Sequence, residues 1–117
     1  MAGPGPSILV VEDDGSLRLL SRVNLELEGF RVREAATLAE ARSALERERP
    51  LGVFLDVRLG GELSDGLLDE LRATGIPVVL VSGTDDLAAY RERAAEVLSK
   101  PYRPEDLVSA ARRHFVG

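Results

Sequence analysis

Five polar side chains in this chain could do chemistry together, because each one closes or directly follows a short apolar run. They are Glu12, Asp13, Asp56, Ser82 and Lys100. Carboxylates that converge repel one another unless a cation lies among them, and magnesium is the foremost hard cation for oxygen ligands. Magnesium, a lysine ammonium and a serine hydroxyl can hold phosphate oxygens, while a carboxylate can attack phosphorus. The set predicts transfer of a phosphoryl group to an aspartate.

Each of these residues also has a purely structural explanation when it is considered alone. An acid after a strand commonly forms a turn or caps a helix, and Asp14 is predicted to be such a cap. Lys100 precedes Pro101 and could be a solvated turn residue, and Ser82-Gly83 could be an ordinary loop. Their shared position, at the ends of successive predicted strands, favours a common site over separate explanations.

The elements that must position these residues are short strands separated by helical segments. The predicted strands are 7–11, 51–55, 77–81 and 97–98, with a further run at 30–33. Continuous apolar runs are typical of parallel strands covered on both faces, whereas the alternating run at 30–33 indicates an edge strand.

The helical segments are recognised by their periodicity and their end signals. Apolar residues recur at helical spacing in the first, and the second begins with the capping box at Thr37 and Glu40. Asp65 is predicted to cap the third helix. The apolar positions of the first helix are Leu17, Leu20, Val23 and Leu27, with Gly29 after its end; the last helix begins at Pro104, and 84–95 is a weaker helical stretch.

A strand and a helix therefore alternate five times along the chain. This alternation predicts an α/β fold with a doubly wound, five-stranded parallel sheet and helices on both of its faces. Functional sites of such sheets lie outside the carboxyl ends of the strands, which is where the five polar residues are predicted to be.

The composition restricts the class of protein further. The 117 residues, 44% of them hydrophobic, fit one globular domain, and the absence of cysteine excludes a disulfide framework or a thiolate site. The net charge of −5 argues against nucleic-acid binding through a basic face, and no apolar run is long enough to span a membrane. Residues 1–6 lack a signal-peptide pattern and are predicted to be a flexible leader. We expect a cytoplasmic protein with no direct nucleic-acid or membrane contact.

Four sequence motifs together resemble the receiver domains of two-component response regulators. They are Ile-Leu-Val-Val-Glu-Asp-Asp at 8–14, Val-Phe-Leu-Asp-Val at 53–57, Pro-Val-Val-Leu-Val-Ser-Gly at 77–83 and Leu-Ser-Lys-Pro-Tyr at 98–102. Each motif is weak alone, but the combination is specific and the resemblance extends from Ser7 to Phe115. It implies a receiver domain over 7–117 and a flavodoxin-like sheet with strand order 2-1-3-4-5.

The resemblance also implies a role for each residue of the set. Asp56 is the expected phosphoacceptor, and Asp13 is the expected direct ligand of a magnesium ion that Glu12 and Asp56 also help to hold. The backbone carbonyl of Arg58 is expected to complete the protein's share of the metal ligands.

Two further residues would respond to the phosphoryl group. Ser82 is the expected switch hydroxyl, and Lys100 is expected to hold a phosphoryl oxygen, with a cis peptide bond before Pro101. The implied partners are a sensor histidine kinase or histidine phosphotransferase, and an output protein that the sequence does not identify.

Three features depart from typical receiver domains. The stretch from Ser82 to Lys100 is shorter by about one helical turn, and Val97 replaces the usual switch aromatic. The loop over 57–66 is about two residues longer than usual. The short fourth helix and the loop partly resemble single-domain receivers of alphaproteobacteria. Because Val97 cannot swing as an aromatic does, 84–95 is the predicted switch segment.

Two alternatives remain open at this stage. A pseudo-receiver would keep the fold as a binding platform without phosphorylation, and the missing switch aromatic is compatible with that. A magnesium-dependent phosphoryl-transfer enzyme would use the same acids. Such enzymes need a second acid two positions after the nucleophile, where this chain has Arg58. The sequence is equally compatible with a stand-alone receiver and with a receiver domain of a larger protein.

Overall fold

The computed structural model describes residues 5–83 and 87–116. The strands are β1 (Ser7–Val11), β2 (Arg31–Ala35), β3 (Gly52–Asp56), β4 (Arg58–Leu59), β5 (Glu62–Leu63), β6 (Val78–Ser82) and β7 (Glu96–Ser99). The helices are α1 (Gly15–Leu27), α2 (Leu38–Arg47), α3 (Asp65–Ala73), α4 (Leu87–Tyr90) and α5 (Pro104–His114).

The five longer strands form one parallel sheet in the order β2-β1-β3-β6-β7. When only these strands are counted, the order is 2-1-3-4-5, which confirms the predicted doubly wound fold. The register aligns their carboxyl ends, since Asp56 lies beside Val81 and Ser82 lies beside Ser99. The last residues of β3 and β6 therefore lie at one edge, together with the loops that follow β1 and β7.

The sheet is covered on both faces, as continuous apolar strands predict. Successive side chains of a strand point to opposite faces, so alternate residues of β1 and β3 enter two separate clusters. One cluster lies between the sheet and helices α2 and α3, and includes residues of both: Leu9, Val11, Ala41, Val53, Leu55, Leu67, Leu68, Leu71 and Leu80. The other lies between the sheet and helices α1 and α5, and likewise includes residues of both: Ile8, Val10, Leu25, Phe54, Val79, Leu107, Ala111 and Phe115.

The apolar face that periodicity assigns to α1 does not pack on the sheet. Leu20, Val23 and Leu27 are 46%, 44% and 79% exposed, whereas Ser21 and Leu25 are buried. The helix is rotated so that the half-apolar stripe through Ser21 and Leu25 meets the sheet. Treating the predicted face as the core-facing side is therefore wrong, because helical spacing reveals a face but not its neighbour.

The capping residues agree with the sequence at two helix starts and differ at a third. Asp14 caps α1 by accepting from the backbone amides of Ser16 and Leu17, as predicted. Thr37 likewise accepts from an amide in the first turn of α2. The predicted cap of α3 is wrong: Asp65 is its first residue, and its carboxylate binds Tyr90 and Arg93 instead.

The loop after β3 and the segment after β6 hold the remaining surprises. The long loop over 57–66 contains an antiparallel hairpin, β4–β5, that the sequence analysis did not predict. The predicted short fourth helix is confirmed in the described residues, since α4 is only 4 residues long. Residues 84–86 of the predicted switch segment, and residues 1–4 of the predicted leader, lie outside the described residues. No helix among those described has the length and apolar character required to cross a bilayer.

Candidate functional site

Three carboxylates converge at the carboxyl edge of the sheet. Glu12 and Asp13 directly follow β1, and Asp56 is the last residue of β3. One carboxylate oxygen from each residue lies within 4.8 Å of the others. Glu12 and Asp56 are only 4% and 6% exposed, whereas Asp13 is exposed to solvent. The arrangement offers oxygen ligands with one open side, which fits a hard cation that keeps part of its water shell.

Lys100 reaches into this group from the loop after β7. Its Nζ lies 2.8 Å from Asp56 Oδ2 and 3.0 Å from Glu12 Oε1. Its backbone amide donates to the carbonyl of Ser82 at 2.8 Å, which joins the ends of β6 and β7. The peptide bond between Lys100 and Pro101 is cis, as predicted. The lysine ammonium is thus the counter-charge between the two buried carboxylates.

Burial and pairing change the proton affinities of the group in opposite directions. Burial raises the pKa of Glu12 to about 7, although the Asp14 amide and the Lys100 ammonium oppose the shift. Burial also opposes charge on Lys100, but hydrogen bonds to Asp56 and Glu12 outweigh it and raise the lysine pKa. The backbone amide of Gly60 lowers the pKa of Asp13. Glu12 is therefore the member of the group that titrates near neutral pH.

The β4–β5 hairpin supplies a contact to the acidic group at the carboxyl edge of the sheet. The backbone amide of Gly60 donates to Asp13 Oδ2 at 2.9 Å. Gly60 and Gly61 have φ angles of 56° and 86°, which residues with side chains rarely adopt. Sequence reasoning missed this contact, although adjacent glycines between short runs that alternate polar and apolar residues are a hairpin signal that could have revealed it.

Ser82 completes the set that the sequence predicts. It is the last residue of β6 and 1% exposed. It lines a cavity of about 340 Å³ together with Asp13, Asp56, Arg58 and Lys100. The predicted phosphoacceptor, switch hydroxyl and lysine therefore share one solvent-connected cavity with two of the predicted metal-binding residues.

Comparison with known proteins identifies the family. The family model of the response regulator receiver domain matches residues 8–112. This chain belongs to the receiver domain family. It is therefore a phosphoryl-accepting signalling module of two-component systems, and neither the pseudo-receiver nor the enzyme alternative is favoured.

The receiver domain is similar to several curated regulators and solved structures. It is 32% identical to the C4-dicarboxylate transport transcriptional regulatory protein DctD of Rhizobium meliloti, over 92% of this chain and 25% of that protein. It is also 32% identical to the DNA-binding response regulator MtrA of Mycobacterium tuberculosis, over 90% of this chain and 48% of that protein. The chain thus spans less than half the length of these relatives.

The solved structures agree with the fold and with the family. The receiver domain of NtrX from Brucella abortus superposes with a TM-score of 0.85 and 32% identity, covering 93% of this chain and 98% of that one. A CheY-like receiver domain from Methanospirillum hungatei superposes with a TM-score of 0.83 and 25% identity, covering 92% and 91%. Receiver domains bind magnesium in an acidic pocket, and this chain has an acidic group of that kind.

Arg18 supports the acidic edge of the receiver domain and was missed by the sequence analysis. One of its guanidinium nitrogens donates to the backbone carbonyl of Glu12 at 2.8 Å, and another donates to Glu34 at 3.1 Å. The arginine thereby ties the start of α1 to the turn that carries both β1 acids. Its position in an otherwise ordinary helix contains no local signal of this role, because its partners are distant in sequence.

Proposed function

We propose that Asp56 is the phosphoacceptor of this receiver domain. The observation that carries the proposal is the pairing of its buried carboxylate with Lys100 at 2.8 Å, in an open cavity that Asp13 also lines. A carboxylate held in this way has a fixed orientation, which a nucleophile needs. Lys100 then lies where it can neutralise a transferred phosphoryl group.

The proposed cation is magnesium, held by Glu12, Asp13, Asp56 and the backbone carbonyl of Arg58. The carboxylate oxygens within 4.8 Å of one another and the exposure of Asp13 support this donor set. When bound, magnesium neutralises charge that develops on the phosphoryl oxygens. Lys100 orients the Asp56 carboxylate, and the cavity beside it is open to solvent, so that a phosphoryl donor can approach.

The proposed reaction moves one phosphoryl group to Asp56. A carboxylate oxygen bonds to phosphorus as the bond between phosphorus and the histidine nitrogen of the donor breaks. The leaving imidazole keeps the electron pair of that bond. A small acyl phosphate reacts equivalently, with a carboxylate as the leaving group. Lys100 and the hydroxyl of Ser82 are the proposed partners of the transferred phosphoryl oxygens.

The donor is proposed to be a sensor histidine kinase or a histidine phosphotransferase, and the product is proposed to act on a separate output partner. The receiver domain is proposed to extend over 7–117. It is proposed to lie in the cytoplasm, where ATP-derived phosphoryl donors are available, and to catalyse no reaction on other molecules. Its similarity to regulators such as DctD and NtrX supports the signalling role.

The acceptor is tested by labelling with acetyl phosphate and magnesium, followed by intact-mass and peptide mass spectrometry. Wild-type protein should gain one phosphoryl group on the peptide that contains Asp56. Asp56→Asn should gain none, while keeping the same urea midpoint within error or a higher one. A label that persists in Asp56→Asn refutes the assignment.

The metal assignment is tested separately by magnesium titration followed by amide chemical shifts. Asp13→Asn should lose most of the response at the carboxyl edge, since it removes the exposed charged ligand. Asp14→Asn is the matched control, because the neighbouring residue caps α1 and keeps that function as asparagine. An unchanged titration in Asp13→Asn contradicts the proposed ligand set.

The switch is proposed to be the segment 84–95, of which residues 87–95 are described. This segment is tied to α3, because the Tyr90 hydroxyl donates to Asp65 Oδ1 at 3.0 Å and Arg93 donates to Asp65 Oδ2 at 2.8 Å. Arg93 also lies 5.3 Å from the centroid of the Tyr90 ring. These contacts give the short segment one defined position that engagement of Ser82 by phosphate could change.

Hydrogen exchange with and without beryllofluoride tests the proposed switch. Protection over 87–95 should differ between the two states, and Asp65→Asn should increase exchange there in the unliganded protein by weakening the tie to Arg93. Asp69→Asn is the comparison variant, because it removes only the more exposed ion pair with Arg93, at 3.0 Å, and should increase exchange less. Equal protection of 87–95 in both states refutes the switch.

A further inference from the structure

Ser64 occupies the helix-cap position of α3 without capping the helix. Its side chain makes no hydrogen bond to the first turn, although serine is one of the preferred capping residues. Its hydroxyl instead donates to the backbone carbonyl of Asp56 at 2.7 Å and lies 3.2 Å from that of Val57. The side chain is buried, with 2% of its surface exposed. The Ser64 hydroxyl therefore binds the backbone at the end of β3 instead of capping α3.

Those contacts belong to a set that fixes the backbone around the proposed acceptor. The amide of Val57 donates to Val81 on β6 at 3.0 Å, and the amide of Ser64 donates to the carbonyl of Val57 at 2.9 Å. The amide of Arg58 donates to Asp56 Oδ1 at 3.2 Å. Peptide groups on both sides of Val57 are therefore held by partners outside the strand, and Ser64 supplies three of the bonds, two from its hydroxyl and one from its amide.

We infer that Ser64 is a positioning residue for phosphoryl acceptance. Its hydroxyl holds the two peptide planes that flank Val57 and are joined to the Cα atoms of Asp56 and Arg58, and so it helps to orient the Asp56 carboxylate and the Arg58 carbonyl. The inference rests on the proposed function, because it assigns Ser64 a role in the same site. Small displacements of a reacting group lower the reaction rate steeply, so loss of the Ser64 hydroxyl should have a measurable effect on the rate of phosphorylation.

The long loop after β3 brings this hydroxyl to the end of the strand. The β4–β5 hairpin begins directly after Val57, whose amide makes the bond to Val81 on β6, and the chain returns at Ser64. Ser64 lies where the hairpin closes, 8 residues after Asp56. Its hydroxyl compensates the carbonyl that the departing chain leaves at the end of β3.

The test compares two buried serines at opposite ends of the sheet. Ser64→Ala removes the proposed positioning hydroxyl. Ser7→Ala is the matched control, because Ser7 is 0% exposed and its hydroxyl donates to Glu48 at 3.0 Å and accepts from Arg33 at 3.0 Å. Both variants lose a buried hydrogen bond, and both should unfold at lower urea concentration. Only one of them borders the site.

The measurements are the labelling rate at saturating acetyl phosphate and magnesium, and magnesium affinity from amide shifts. Ser64→Ala should label about tenfold more slowly and bind magnesium several-fold more weakly. Ser7→Ala should match wild type in both. If Ser64→Ala does not fold, Ser64→Cys keeps the side-chain size but weakens the hydrogen bond, and it should show the same changes to a smaller extent.

Labelling of folded Ser64→Ala within twofold of wild type overturns the inference, as does equal slowing in Ser7→Ala. Failure of the proposed function gives a different result, since wild type and Asp56→Asn would then both remain unlabelled. In that event magnesium affinity still decides the role of Ser64: a loss confined to Ser64→Ala supports it, and unchanged affinity overturns it.

Discussion

Replacing Glu12 with glutamine should stabilise the metal-free protein at alkaline pH. The Glu12 carboxyl is 4% exposed, and burial raises its pKa to about 7 from 4.5. An acid whose pKa is raised on folding binds its proton more tightly in the folded state, so the charged form opposes folding. The penalty is absent below pH 4.5, grows as the pH rises through this window, and is complete above about pH 7.

The magnitude follows from the size of the shift. Each pKa unit corresponds to about 1.4 kcal/mol, so the shift from 4.5 to about 7 corresponds to a penalty on the order of 3 kcal/mol. Glutamine has nearly the same shape and can still accept from the Asp14 amide, which donates to Glu12 Oε2 at 3.1 Å. Glu12→Gln should therefore gain about 1–3 kcal/mol in free energy of unfolding at pH 8, because glutamine resembles the neutral form of the acid and the net shift already includes the ion pair with Lys100.

The assay is urea unfolding in EDTA at pH 8 and at pH 5, with Glu92→Gln as the control. Glu92 is an exposed carboxylate beside Arg72 and Pro77, at the opposite end of the sheet. The gain should be large at pH 8, small at pH 5 and absent in the control. Added magnesium should reverse the order, because the wild-type site binds it more tightly. A Glu12→Gln variant no more stable than wild type at pH 8 refutes the reasoning.

Three further predictions concern the core, the ion pairs and the lysine. Gly52→Ala should lower the free energy of unfolding by about 1–3 kcal/mol or more in urea unfolding, because its Cβ would lie 2.0 Å from the Phe115 ring. Gly66→Ala, in open space on α3, should be neutral or stabilising, and equal effects of the two substitutions would contradict this. Hydrogen bonds from Arg31 and Ser7 lower the pKa of Glu48 to about 2. The wild-type protein should therefore be more stable than Glu48→Gln above pH 4.5, and this advantage should disappear as the pH falls towards 2. A difference in free energy of unfolding that does not change between these pH values would contradict the prediction. Lys100→Ala should leave the fold intact but slow labelling by acetyl phosphate at saturating magnesium. Labelling at the wild-type rate would exclude a role of Lys100 in phosphoryl acceptance.

The sequence by itself determined the five strands of the main sheet of this receiver domain and the five polar residues expected at its edge. Apolar runs and helical periodicity are local properties, and they predicted the five strands and their parallel sheet because alternation of strand and helix allows few topologies. Parallel strands also bring their carboxyl ends together. For that reason Glu12, Asp13, Asp56, Ser82 and Lys100 could be predicted to meet although they are distant in sequence.

Only the tertiary structure decided which surfaces meet and how the site is supported. Leu20, Val23 and Leu27 define an apolar face of α1, yet the packing of Ser21 and Leu25 on the sheet leaves that face exposed. Helical spacing specifies the relative positions of side chains but contains no information on the neighbour that each one meets.

The same limitation applies to the contacts around the acidic group. The amide of Gly60 binds Asp13, the guanidinium of Arg18 binds a Glu12 carbonyl, and the hydroxyl of Ser64 holds the end of β3. These partners are ordinary residue types separated from their targets along the chain, so no local pattern distinguishes them. The raised pKa of Glu12 has the same origin, because burial exists only after the helices and the sheet have packed together.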